Sequence, residues 1–444
     1  MFRFRIAPGR LTPPPSDCPV VLENDVLKQE SANSSRGLMQ AAHYNSLFLM
    51  TGLKRHFWGT IFALLLAAAP AFASNWTGPA TDFAKSIAAV TGPGTITFAL
   101  TNSSSLTKSD TSDIQHTIEA QLRAAGVRLG PNSNASSDVR VTLSENLQGY
   151  LWVAEIRQGT QTQVEMISVP RTETPVVARS GPSVTIHKTL VWSEPVQILD
   201  AYVDGNRMLV LEVNAVSTFS MNGGKWQREQ SLAFTTSHNF PRDLRGLLAP
   251  AKDHQANIYL PGTICNVAAG AGIAISCHDG DDPWPLGPKT ALFNSGRNYF
   301  TGAMFPAATK SSGPFYSLVS LPRPAYTLLI TTGVDGRVHL NDGINERTIS
   351  ASSTADWGSD IAAVKSQCGG GTQILVTNAG DDTMPDSLRA FEIPDRDPVQ
   401  VSAAADFTGP ITALWTHGDV ATAVAHNLRT GNYEAYSVSI SCNQ

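Results

Sequence analysis

The densest group of side chains that could do chemistry is an acidic loop. Asp279, Asp281 and Asp282 fall within four residues, directly after Cys277, and Trp284 follows two positions later. Carboxylate oxygens are hard ligands that suit Ca²⁺, and an aromatic ring beside them would offer a stacking surface at a binding mouth. The alternative is a solvated turn, because Asp, Gly and Pro favour turns. We name these three aspartates and Trp284 as candidate binding residues. Calcium is a candidate ligand, but no cofactor is required.

Two arginines lie close together in the segment 240–246. A guanidinium can bind a carboxylate through two parallel hydrogen bonds, so Arg242 and Arg245 are candidates for recognising an acidic ligand such as a sugar acid. A structural salt bridge between strands is the alternative. A second acidic loop holds Asp381, Asp382 and Asp386, and we interpret it as a turn.

The sequence lacks the local motifs of several enzyme classes. It has no G-x-S-x-G nucleophile elbow, no H-E-x-x-H zinc motif and no glycine-rich phosphate loop. The segment 105–108 matches S-x-x-K, but no Lys-Thr-Gly or Ser-Asp-Asn partner follows it. A formal net charge of −5 gives no electrostatic reason to expect nucleic acid as a partner. We therefore predict a binding protein without catalytic activity.

The five cysteines suggest two disulfides. Cys18 lies near the N-terminus, which leaves an even set of four, and four cysteines allow three pairings. We favour Cys265–Cys277, because both residues end short strand-like runs of one hairpin, and Cys368–Cys442 then follows by elimination. Zinc is the alternative, although the cysteines lack the close spacing of a structural zinc site.

An export signal lies inside the sequence rather than at its start. Basic residues 54–56 precede the apolar run 57–69, and a small-x-small cleavage pattern ends at Ala73. The run is shorter than the roughly 20 apolar residues of a membrane span. We predict a signal peptide over residues 50–73, cleaved between Ala73 and Ser74, with an uncleaved anchor as the alternative. Residues 1–49 would then be a disordered or mis-translated leader. The predicted location is the periplasm or the extracellular space, with membrane contact only through the signal segment.

The pattern over residues 74–170 predicts a small α+β domain. Phe83, Ile87 and Val90 have helical spacing, and Ile96, Phe98 and Leu100 alternate as in a strand. Residues 112–122 predict a second helix, which would begin with a capping box at Ser112 and Gln115 and end at Gly126. Three further strands are predicted between residues 139 and 169, and the helices are expected on one face of the sheet.

After a predicted linker at 171–187, residues 188–444 show short strands and no convincing helix. Asp-Gly and Asn-Gly turns separate these strands, as in hairpins. The pattern at 361–376 recurs about fifty residues later at 411–424, and units of this length with about four strands are typical of β-propeller blades. We predict a mainly β chain with a C-terminal propeller of about six blades. The strand near residues 184–190 would complete the last blade. The alternatives are a β-sandwich and an irregular all-β domain.

This layout of signal peptide, small α/β domain and propeller resembles exported bacterial propeller proteins, including the propeller protein of the Tol–Pal envelope system. The resemblance covers order and size. The Ser-Pro-Asp-Gly turn of that family is absent at 204–205 and 335–336, so no functional residue is carried over. The expected function is a non-catalytic scaffold of the bacterial envelope with a protein or glycan partner. The alternative is a secreted glycan-processing hydrolase or lyase with paired carboxylates at the propeller mouth.

Overall fold

The structure, a computed structural model, describes residues 76–130, 135–171, 183–237, 239–241, 243–251, 256–269, 273–306 and 312–443. The predicted leader, the signal peptide with Ala73 and Ser74, most of the predicted linker, and Arg242 lie outside these residues. Among the described residues, no helix is long and apolar enough to cross a membrane. The chain from Phe72 onward forms one compact unit.

The N-terminal part of this unit combines two helices with a five-stranded sheet. The elements are α1 (Thr77–Thr91), β1 (Gly94–Asn102), α2 (Lys108–Ala124), β2 (Val127–Leu129), β3 (Ser137–Glu145), β4 (Gly149–Gln158) and β5 (Gln161–Pro170). The strand order is β2-β1-β3-β4-β5, parallel at β2-β1-β3 and antiparallel from β3 to β5. We call this part the α+β domain.

Apolar stripes on both helices form one core with the sheet. Phe83 and Ile87 of α1, Ile114 and Ile118 of α2 and Trp152 of β4 are all fully buried in this core. Helical spacing identified the four helix positions because residues three and four apart share one face of a helix.

The start of α2 differs from the prediction. The cap is Thr107, whose side chain accepts the N–H of Asp110, and the Asp110 carboxylate accepts the N–H of Thr107. The helix therefore begins before the predicted capping residue Ser112. The reciprocal Thr-Asp bonds satisfy backbone donors that no helical carbonyl reaches.

Among the described residues, the remaining strands form five antiparallel sheets, and we count six blades because one seven-stranded sheet spans two of them. Blades 1 and 2 contain β7 (Ile198–Asp204), β8 (Arg207–Glu212), β9 (Ala215–Asn222), β10 (Lys225–Ala233), β11 (Leu247–Pro250), β12 (Ala256–Leu260), β13 (Thr263–Ala269) and β14 (Ile273–Asp279). Blades 3 and 4 contain β15 (Trp284–Leu286), β16 (Lys289–Asn294), β17 (Tyr299–Phe305), β18 (Phe315–Pro322), β19 (Thr327–Gly333), β20 (Val338–Asn341) and β21 (Glu346–Thr348). Blade 5 contains β22 (Trp357–Lys365), β23 (Thr372–Asn378), β24 (Ser387–Glu392), β25 (Val399–Gln400) and β26 (Ala405–Asp406).

Blade 6 closes the ring with a strand from the other end of the domain. It contains β27 (Ile411–His417), β28 (Val420–His426), β29 (Tyr433–Cys442) and β6 (Val184–Glu194). β6 pairs with β29 along its whole length, from Val184 opposite Cys442 to Glu194 opposite Tyr433. The chain is therefore mainly β, with a closed propeller after the α+β domain. β6 begins inside the predicted linker, because Val184 is buried against blade 5 and blade 6 residues.

Two features of the sequence reappear in the blades. The segments that resemble each other at 361–376 and 411–424 are the first two strands of blades 5 and 6. Among the described residues, the pair Phe300 with Phe315 joins blades 3 and 4, so their strands form one continuous sheet. Both predicted disulfides are present, Cys265–Cys277 across β13 and β14 and Cys368–Cys442 between blades 5 and 6.

Candidate functional site

The predicted acidic loop lies where blade 2 connects to blade 3. Asp279 ends β14 and accepts a hydrogen bond from the hydroxyl of Ser237 at 2.7 Å. Asp282 lies 3.6 Å from the ring of His278, and both side chains are more than half exposed. Within the described ranges, no three His, Cys, Asp or Glu side chains converge as metal ligands.

Trp284 lies inside the ring, which corrects the expectation of an exposed stacking surface. Only 2% of the residue is exposed. Its ring stacks on Phe293 at 4.4 Å between centroids and lies 6.4 Å from Trp415. Trp284 belongs to the inner strand of blade 3 and Trp415 to that of blade 6, and these blades face each other in a ring of six. The two indoles therefore meet across the centre of the propeller and fill it.

Arg245 forms a second bridge across the centre. It precedes the inner strand of blade 2, donates to the carbonyl of Tyr316 in blade 4 at 2.8 Å, and pairs with Asp360 in blade 5 at 2.9 Å. The side chains of Arg245 and Asp360 are 11% and 13% exposed. The adjacent Gly246 lets the backbone pack against blade 1, because a Cβ there would come within 2.9 Å of Leu199 and Leu211. The geometry matches the salt-bridge alternative for Arg245, while the proposed recognition of an acidic ligand stays a prediction.

The second acidic loop divides into an exposed and a half-buried part. Asp381 and Asp382 are exposed, and Asp381 accepts hydrogen bonds from Thr383. Asp386 accepts the backbone N–H groups of Asn378 and Ser387. Burial raises the pKa of the Asp386 carboxyl despite these bonds. The backbone bonds hold the loop between β23 and β24 in place.

A buried Asp–His pair was not found by sequence reasoning. Asp200 is fully buried and lies 2.8 Å from the ring of His417. Its carboxylate also accepts the backbone N–H groups of Ala201 and Leu248, each at 2.8 Å. Asp200 lies in β7 of blade 1, His417 ends β27 of blade 6, and Leu248 lies in β11 of blade 2. One carboxylate thus joins three blades next to the closure of the ring.

Two glutamates from neighbouring blades converge on one arginine. Glu194 of blade 6 and Glu212 of blade 1 both pair with Arg228. Burial raises the pKa of the Glu194 carboxyl, and the negative charge of Glu212 adds to this effect. The Arg228 guanidinium also lies over the ring of Phe219 at 5.3 Å. Paired carboxylates are the groups that glycoside hydrolysis uses, but here the guanidinium already engages both.

The α+β domain contacts the propeller through the turn between β3 and β4. Leu147 in this turn is 2% exposed and packs among apolar residues of blades 4 and 5, such as Leu340 and Ile374. Its backbone N–H donates to the carboxylate of Asp342 at 2.8 Å. Burial alone would raise the pKa of Asp342, but the backbone N–H groups of Asn345 and Leu147 outweigh it, so the pKa is lowered.

A charged cluster reinforces this contact. The guanidinium of Arg171, at the end of β5, hydrogen-bonds to Glu145 of the α+β domain and to Asp395 of blade 5. The side chain of Glu145 is 1% exposed and also accepts the N–H of Ser105. Burial alone would lower the pKa of Arg171, but the Coulombic attraction of Glu145 and Asp395 outweighs it, so the pKa is raised. Arg171 therefore links the two parts as a permanent cation.

Comparisons with known proteins agree with a β-propeller fold and give no closer relationship. No protein-family model and no curated protein matches the chain. Among solved structures, it is similar to TolB from Acinetobacter baumannii, at 10% identity and a TM-score of 0.20 over 78% of this chain and 95% of that chain. It is also similar to Kluyveromyces lactis Hsv2, at 9% identity and a TM-score of 0.24 over 67% of this chain and 95% of that chain. These similarities carry no inference about function, and the propeller rests on the sheet order and ring closure of this chain.

Proposed function

We propose that this protein is an exported, non-catalytic binding scaffold of the bacterial envelope. The observation that carries the proposal is the contact at Leu147 and Arg171, which holds the α+β domain against blades 4 and 5. Two surfaces held at a fixed angle can engage a large partner without the entropic cost of ordering a flexible linker. A rigid support for variable loops is also the usual arrangement of binding proteins.

Because side chains occupy the centre of the ring, we expect partners to bind the outer surfaces of the protein. Trp284 and Trp415 meet across the channel, and Arg245 spans it to Asp360. These contacts between described residues therefore occupy the channel at two levels. The loops of the two propeller faces and the outer faces of the α+β domain remain for partners.

Cross-linking in native envelopes tests this proposal. The full chain, tagged after Gln444, is cross-linked in its own host and purified under denaturing conditions. We expect a protein recovered in near-stoichiometric amount that a tagged, unrelated periplasmic protein does not capture. Recovery of the tagged chain alone, at several cross-linker lengths, would contradict the proposed scaffold.

The alternative function is a glycan-processing hydrolase or lyase, and Glu194 with Glu212 is the observation that favours it. If this pair were catalytic, Glu194→Gln would abolish release of reducing ends from envelope glycans. We expect no such release from the unaltered protein, because Arg228 holds both carboxylates. Glycan cleavage that depends on Glu194 would replace the scaffold proposal by the enzyme.

A further inference from the structure

A polar cleft lies between blades 1 and 2, outside the residues that join the domains or fill the ring. One wall is the segment that follows β10, and the other is the hairpin of β13 and β14. The cleft has a volume of about 310 Å³. Its lining consists of Thr235, Thr236, Ser237, Thr263, Cys277, His278 and Asp279.

The lining is unusual because most of its side chains carry hydroxyl groups. A hydroxyl both donates and accepts hydrogen bonds. Asp279 adds a carboxylate, which accepts from Ser237 at 2.7 Å, and His278 adds a ring that faces Asp282. Cys277 is half of the disulfide with Cys265 and fixes the hairpin that forms one wall.

The surroundings of Thr263 are the observation that indicates a ligand. It is 1% exposed, and its Oγ1 atom is buried with no hydrogen-bond partner among the described residues. Buried hydroxyls without partners are rare, because each loses its hydrogen bonds to water without replacement. A polar group of a bound molecule would supply the missing bond.

The charges of the lining restrict the chemistry of that molecule. The described residues that line the cleft include no Lys or Arg, and Asp279 would repel a phosphate or carboxylate. A single carboxylate is too few for a metal ion, which takes several oxygen ligands. A neutral molecule with many hydroxyl groups matches the mixed donors and acceptors of the walls. The volume lies at the lower end of the roughly 300–1,000 Å³ of small-molecule sites.

We propose that this cleft binds a neutral saccharide, as a monosaccharide, a disaccharide or the terminal unit of a longer glycan. The inference rests on the proposed role as a binding protein. It adds a small ligand to that role, besides the large partner of the scaffold. The hydroxyl of Thr263 bonds to a sugar hydroxyl, while Ser237 and Asp279 contact others at the rim.

The variant Thr263→Val tests whether the Thr263 hydroxyl binds a ligand or stabilises the fold. Valine has nearly the same shape, and it removes a hydroxyl that the folded protein leaves without a partner. We therefore expect unchanged or higher thermal stability together with about tenfold weaker saccharide binding. Thr263→Ser, which keeps the hydroxyl, should retain binding. The matched control is Thr189→Val on the exposed part of β6.

The measurement is titration of the full-length protein with a panel of neutral monosaccharides and disaccharides, and separately with neutral envelope polysaccharide. Binding of small saccharides identifies a free sugar as ligand, and binding of polysaccharide alone identifies a chain terminus. The inference is overturned if no saccharide binds, or if Thr263→Val binds as tightly as the unaltered protein. Capture of a protein partner in the cross-linking experiment is scored separately, so either proposal can fail alone.

Discussion

The backbone N–H of Leu147 donates to the Asp342 carboxylate at 2.8 Å, while the Leu147 side chain lies in the apolar layer of blades 4 and 5. One residue of the β3–β4 turn thus joins the α+β domain to the propeller in two chemically different ways. Apolar burial supplies most of the free energy, and the hydrogen bond fixes the position. We infer that the two parts move together.

Truncation of Leu147 should separate the two parts. Leu147→Ala removes a buried side chain and leaves a cavity, which typically costs about 2 to 5 kcal/mol. Because the side chain lies at the contact, we expect the unaltered protein to melt in one calorimetric transition and the variant to melt at lower temperature in two. Gln148→Ala, in the same turn but exposed, should change stability by less than about 0.5 kcal/mol. Identical melting of both variants would contradict this contact.

The bond to Asp342 should make the contact sensitive to acid. Because the folded-state pKa of Asp342 is lowered, its carboxylate contributes stability above about pH 4, the usual carboxyl range. That contribution is lost as the pH falls through the lower folded-state value. We expect Asp342→Asn to be about 1 to 3 kcal/mol less stable near pH 6. The gap should close below about pH 4.

Chemical unfolding at a series of pH values measures this gap. The control is Asp419→Asn, because the side chain of Asp419 is 72% exposed in a surface ion pair. The control should follow the unaltered protein at every pH. An Asp342→Asn gap that stays constant down to pH 2 would mean that the carboxylate charge does not hold the turn.

The Asp200–His417 pair should stabilise the closure of the ring. Asp200→Ala leaves two buried backbone N–H groups and the ring of His417 without their acceptor, and losing one partner of a buried network costs about 3 to 5 kcal/mol. His417→Ala should cost less, because Asp200 keeps both backbone bonds. The double variant should cost less than the sum of the two single variants in urea unfolding. Strict additivity would show that the pair does not interact.

The two disulfides should contribute unequally. Cys265 and Cys277 are 12 residues apart, whereas Cys368 and Cys442 are 74 residues apart. In the chain-entropy description, closing the longer loop contributes about 4 to 5 kcal/mol and the shorter about 3 kcal/mol. Double Ala replacements of each pair, unfolded in urea under oxidising conditions, should reproduce this order. The reverse order would show that native-state contacts, rather than loop closure, dominate.

Sequence patterns predicted the features that depend on local periodicity. The stripes at Phe83 and Ile114, the hairpin turns and the repeat at 361 and 411 reflect the geometry of single helices and strands. The cysteine pairing also followed, because one pair lies within a hairpin. The start of α2 was missed because the prediction used the Ser112–Gln115 pattern, whereas the reciprocal bonds of Thr107 and Asp110 begin the helix earlier, next to the buried Leu106.

The candidate site was less predictable because its contacts join distant residues. Trp284 follows an acidic loop, yet it packs against Trp415 from the opposite blade. Asp200 and His417 are separated by 217 residues, and no local pattern links them. Thr263 looks like an ordinary strand residue, and its unsatisfied hydroxyl becomes visible only when the neighbouring blade is in place. One local signal was available for the cleft, the run of three hydroxyl residues at 235–237.

The most direct test of the scaffold proposal combines cross-linking with disruption of the junction between the two parts. The tagged full-length protein is compared in native envelopes with a Leu147→Ala, Arg171→Met double variant and with the Gln148→Ala control, all at matched abundance. The account predicts that the unaltered chain and the control recover the same partner, and that the double variant recovers at least about tenfold less. Equal recovery by a double variant whose α+β domain and propeller melt separately in calorimetry would contradict a scaffold that depends on a fixed arrangement of its two parts.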